Sequence, residues 1–68
     1  MINVNALKGV IVSKGFSQRK MAQHLGITEK TFYAKMNKGV FDSDEIQIMI
    51  DMLEIKNPVE IFFAKDVT

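Results

Sequence analysis

At 68 residues the chain is long enough for a single domain with one small core, so its stability is modest and a partner can contribute to its folding. The 47% apolar content excludes a disordered chain, and the lack of cysteine excludes both a disulfide framework and a cysteine zinc site. The net charge of +1 is unevenly distributed, and no apolar run approaches the length of a membrane span.

The first predicted element is a helix from about Asn5 to Lys14, where Leu7, Val10, Ile11 and Lys14 recur at helical spacing and Gly15 suits a left-handed terminator. Ser17 offers a hydroxyl to cap a second helix, whose buried stripe is Met21, Ala22 and Leu25. Gly26 follows at once and permits a sharp turn. Thr28 caps a third helix with Phe32 and Met36 inward, Ile27 packed at its start, and Glu29, Lys30, Tyr33, Ala34 and Asn37 largely outward. Lys38-Gly39 ends it. The fourth helix starts with Asp42 as cap, Glu45 closing a capping box, and Phe41 and Ile46 as a hydrophobic staple. It runs to about Glu54 with Ile46, Met49, Ile50 and Leu53 inward. Asn57-Pro58-Val59-Glu60 repeats the start pattern and opens a short fifth helix carrying Ile61, Phe62 and Phe63, although the alternation Val59-Glu60-Ile61 also fits a strand. The tail from Lys65 to Thr68 is expected to fray. These elements predict an all-α, compact five-helix bundle formed by the whole chain, with a helix-turn-helix at its centre. No secretory signal opens the sequence, and the expected location is the cytoplasm.

Charge follows this layout. Residues 1–40 carry Lys8, Lys14, Arg19, Lys20, Lys30, Lys35 and Lys38 against Glu29, a balance of +6. Residues 41–68 carry Lys56 and Lys65 against Asp42, Asp44, Glu45, Asp51, Glu54, Glu60 and Asp66, a balance of −5. The basic half coincides with the two-helix unit and suits a polyanion; the alternative is an ordinary solvated surface with uneven charge.

Over residues 17–39 the spacing of Ala22 and Gly26, and the apolar set Met21, Leu25, Ile27 and Phe32, resemble the lambda-repressor/Cro-like helix-turn-helix family. The likeness extends over residues 5–64. The stretches 32–39 and 57–63 look most like small Cro-like or repressor-type regulators of Gram-positive phages. The resemblance implies a DNA-binding transcriptional regulator of phage or prophage type, acting without a cofactor. Its third helix would enter the major groove of a palindromic operator, with a homodimer on double-stranded DNA. It further implies base contacts from Thr28, Glu29, Lys30, Tyr33 and Ala34, and phosphate contacts from Ser17, Gln18, Arg19, Asn37 and Lys38. One position departs from the family: Lys35 stands where an apolar residue is usual, Met36 being apolar instead, which implies a different roll or a longer turn at the end of the third helix.

The residue chemistry is compatible with that role. A helix start at Ser17-Gln18 favours a phosphate. Lys30 can donate to guanine, Glu29 can accept from a cytosine amino group, the Ala34 methyl can meet a thymine methyl, and Tyr33 can reach a phosphate or pack on a sugar. Glu29 has an alternative role, favouring the positive end of its own helix or pairing with a lysine. No arrangement of residues suggests an enzyme: His24 is the only histidine, and Asp42, Asp44 and Glu45 read as helix-capping residues rather than a metal cluster. The alternative function is a small modulator or antirepressor that binds a partner repressor. Met52, Phe62 and Phe63 are its candidate interface, since three large apolar residues in Ile61-Phe62-Phe63 cannot all face one small core. Phe62 and Phe63 are read equally as a lid on the bundle.

Overall fold

Helix starts and stops written into the sequence set the architecture, and the computed structural model describes it for residues 2–63. The described residues form five helices and no strand: α1 (Val4–Ser13), α2 (Gln18–Leu25), α3 (Glu29–Lys38), α4 (Ser43–Leu53) and α5 (Pro58–Phe62). The chain is all-α, and the helical reading of residues 59–61 holds over the strand alternative. The expected fraying of Lys65–Thr68 lies outside the described residues.

Each start has a local cause. Ser17 Oγ accepts the Lys20 amide at 3.0 Å, and Thr28 Oγ1 accepts the Thr31 amide at 3.1 Å. Asp42 N–H donates to Glu45 Oε1 at 2.8 Å, the return bond of a capping box. Two starts depart from expectation. Helix α1 begins one residue early because Asn3 Oδ1 accepts the Ala6 amide at 3.1 Å, a cap that the apolar periodicity does not reveal. At α5 the Asn57 side chain makes no capping bond, and Pro58 sets the first helical residue by its fixed φ.

Helices α2, α3 and α4 stop on left-handed residues. Gly26, at φ 73°, ends α2, and its amide reaches back to Gln23 O at 3.1 Å. A residue with a side chain costs roughly 1–2 kcal/mol in that conformation, so glycine lets α3 begin only three residues after α2. Gly39, at φ 70°, closes α3 directly after Lys38, where the sequence places its end. Helix α4 ends on Glu54, the only non-glycine residue at positive φ among the described residues, at 52°.

The core gathers Leu7 and Ile11 from α1, Met21 and Ala22 from α2, Phe32 and Met36 from α3, Met49 and Leu53 from α4, and Ile61 and Phe62 from α5, with Ile2 and Phe41 completing it. Helix α2 packs on α3 and on α4, and α1 packs on α5. The Asn3 amide donates to Ile61 O at 2.7 Å and fastens the start of α1 to α5. Next to that fastening Phe62 is buried, at 3% exposure, and Phe63 lies outside at 56%. Phe62 therefore belongs to the core and is withdrawn from the candidate interface. Met52 is likewise half-buried against the core. No helix among the described residues is long and apolar enough to cross a membrane.

Candidate nucleic-acid interface

Burial of Phe32 and Met36 fixes which way α3 faces. With those two side chains in the core, Glu29, Lys30, Tyr33, Ala34 and Asn37 recur at helical spacing on the opposite side, and all five are exposed. They form a polar strip along the whole helix, with Thr28 at its start and Lys38 at its end, both also exposed. Two of these groups are already engaged. Thr28 Oγ1, besides capping, donates to Thr31 Oγ1 at 2.9 Å. The Tyr33 hydroxyl donates to Glu29 Oε2 at 2.9 Å, one helical turn back. Glu29 thus pairs with a tyrosine and not with a lysine.

Helix α2 packs on α3, with the three-residue turn joining the end of one to the start of the other, and α2 has an open start of its own. Ser17 and Arg19 are exposed there and Gln18 is half-buried. Ser17 satisfies the Lys20 amide, and the earlier amides of the first turn remain at the open, partially positive end of the helix. Arg19, Lys20, Lys30 and Lys38 form no ion pair among the described residues, where the pairs are Lys14–Glu54, Lys35–Asp42 and Lys35–Glu45. Of the basic residues of α2 and α3, only Lys35 is compensated by an ion pair among the described residues.

His24 contributes packing: its ring meets Phe16 edge-on at 6.3 Å between centroids. Asp42 and Glu45 face Lys35 and, with Asp44, form no metal-holding group among the described residues. Lys35 Nζ lies 2.7 Å from both Glu45 carboxylate oxygens and 3.5 Å from Asp42 Oδ2. Glu45 is buried to 7% exposure and is the one buried charged residue of the described chain. The sequence marks Glu45 as a capping residue and Lys35 as a basic residue and a departure from the family, and does not announce their pairing. The lysine spans from the inner side of α3 to the start of α4 and fixes the two elements against one another. The glutamate that raises Lys35 above the usual lysine range does so chiefly through this hydrogen bond.

The Glu29–Tyr33 pair makes a measurement available. Tyr33 is the only tyrosine, and tryptophan is absent, so tyrosinate absorbance reports this one side chain. Its hydroxyl is held above the ordinary tyrosine value, first by the hydrogen bond to Glu29, then by burial and by the carboxylate charge. In a spectrophotometric titration the wild type is expected to ionise at higher pH than Glu29→Gln. Coincident curves for the two proteins would show that the pair does not form in solution.

Comparison of the chain with protein-family models, with curated proteins and with solved structures finds no match.

Proposed function

We propose that the chain is a sequence-specific DNA-binding transcriptional regulator of the Cro or repressor type, reading the major groove with α3. The observation that carries this reading is the exposed strip Glu29-Lys30-Tyr33-Ala34-Asn37 on one side of α3, in a two-helix unit whose Arg19, Lys20, Lys30 and Lys38 form no ion pair among the described residues. The major groove admits a helix, and hydrogen-bonding side chains along its outer side can distinguish base pairs there. Ser17, Gln18 and Arg19 at the open end of α2, with Asn37 and Lys38 at the end of α3, are the phosphate contacts that would hold the helix in register. Two copies on a palindromic site would put two such helices about one DNA turn apart, and a promoter so occupied is repressed.

A second reading draws on one observation. Val59 on α5 and Phe63 directly after it lie four residues apart at 65% and 56% exposure, an apolar pair suited to a protein surface. On that reading the chain is a modulator that binds a partner repressor, with Phe63 and the half-buried Met52 as contacts and Phe62 in the core.

Selection of the purified chain against a random duplex DNA library at near-physiological salt tests the two readings. Enrichment of a palindromic site supports direct reading; salt-sensitive retention without a preferred sequence removes it and favours the modulator. On an enriched site, Lys30→Ala is expected to relax discrimination at one base pair, a loss of about 1–3 kcal/mol. Arg19→Ala is expected to weaken all sequences alike and to reduce the salt slope of log K by roughly 1. Equal losses from the two variants on cognate and unrelated DNA would remove Lys30 from the base-reading set.

A further inference from the structure

We infer that Glu29 reads the exocyclic amino group of a cytosine in the major groove, and that Tyr33 is the residue that positions the Glu29 carboxylate for this contact. The inference rests on the DNA-reading proposal above and assigns the chemistry of one position in the site. Glu29 is the first residue of α3 and is exposed on the same side of the helix as Tyr33. A carboxylate is stabilised there by the positive end of the helix. The Tyr33 hydroxyl donates to Oε2 at 2.9 Å. The second oxygen has no side-chain partner among the described residues, so the pair presents one free anionic acceptor held in a fixed direction.

An acceptor without a donor selects among bases by elimination. Guanine offers N7 and O6, and thymine offers O4; all are acceptors and repel a carboxylate. Adenine offers its N6 amino group, but with the N7 acceptor beside it. Cytosine offers N4 without an acceptor of its own alongside. A phosphate is excluded on the same grounds, since it is anionic and accepts only. The Tyr33 hydroxyl has already given its proton to Glu29 as a hydrogen bond, so it cannot donate to a phosphate unless the pair opens. Tyr33 also removes a cost. A free glutamate side chain loses rotamer entropy when ordered at an interface, and the tyrosine has ordered this one beforehand.

The test is the duplex selection repeated with wild type, Glu29→Gln and Tyr33→Phe, each first shown by circular dichroism to keep the wild-type helical content. Wild type is expected to prefer cytosine about tenfold or more at one position of each half-site. Glutamine presents a donor beside its acceptor and matches adenine N6 and N7, so Glu29→Gln is expected to move the preference from cytosine to adenine. Tyr33→Phe keeps the ring, loses the hydroxyl, and is expected to reduce the preference at that position alone to about threefold or less. A cytosine preference that survives Glu29→Gln overturns the assignment while leaving DNA reading intact. A shift in Glu29→Gln with Tyr33→Phe unchanged overturns the positioning role of Tyr33. A wild type that enriches no sequence removes the DNA-reading proposal, and this inference with it.

Discussion

Phe32→Ala is expected to unfold most of the chain at 25 °C. Phe32 is fully buried, and its ring lies 5.5 Å from that of Phe41 and 6.4 Å from that of Tyr33, so it fills the space between α3 and the start of α4. Removing a buried phenyl costs about 3–5 kcal/mol, part of it transfer and part of it the cavity left behind. A single core of this size supplies a net stability of roughly 3–5 kcal/mol, so the loss equals the whole. Phe32→Leu keeps most of the apolar volume and is expected to remain folded with a lowered urea midpoint. Far-UV circular dichroism in a urea series separates the cases. A cooperative transition for Phe32→Ala near the wild-type midpoint would contradict the central place of Phe32. DNA binding is expected to disappear with the fold, so Phe32→Ala cannot by itself identify a reading residue, whereas the surface variants of α3 can.

The parts of the fold legible in the sequence are those governed by near neighbours. Ser17 and Thr28 cap helices because their side chains reach amides three residues on, Glu45 reaches back over the same span to the Asp42 amide, and Gly26 and Gly39 end helices because of their own backbone freedom. The polar strip of α3 was legible for the same reason, as the complement of Phe32 and Met36. Features set by distant parts of the chain were not. Phe62 and Phe63 are adjacent and chemically alike, and the bond from Asn3 to Ile61 O, nearly sixty residues away in sequence, accompanies the burial of one and the exposure of the other. Lys35 and Glu45 lie on different helices, and nothing local to either announces the other. The Glu29–Tyr33 bond is a different matter: its i, i+4 spacing on one helix is a readable local signal.

The Lys35–Glu45 pair yields the second large effect, and it separates stability from geometry. Glu45 is buried, takes the Asp42 amide on Oε1 and the Lys35 ammonium on both oxygens, and so holds the start of α4 and the inner side of α3 through one carboxylate. Glu45→Met removes a return cap and a charge-assisted bond together, at an expected cost of about 1.5–3 kcal/mol. Lys35→Met also destabilises, since it leaves the buried carboxylate without its cation. Combining Lys35→Met with Glu45→Met is expected to recover much of the loss, because a well-packed apolar pair can replace a buried ion pair at little or no net cost. The double variant thus tests whether the pair acts by compensating its own burial. If its urea midpoint falls by the sum of the single losses, the two residues are not coupled. The pH dependence has a definite sign. The folded state raises the Lys35 ammonium above its ordinary value, chiefly through the hydrogen bond to Glu45. The stabilisation from this shift is therefore complete below the unfolded lysine value and is lost only as pH rises through the folded one. Wild type is expected to lose this contribution on the alkaline side of that window, while Lys35→Met lacks that part of the decline; parallel alkaline curves for the two proteins would remove Lys35 from the account.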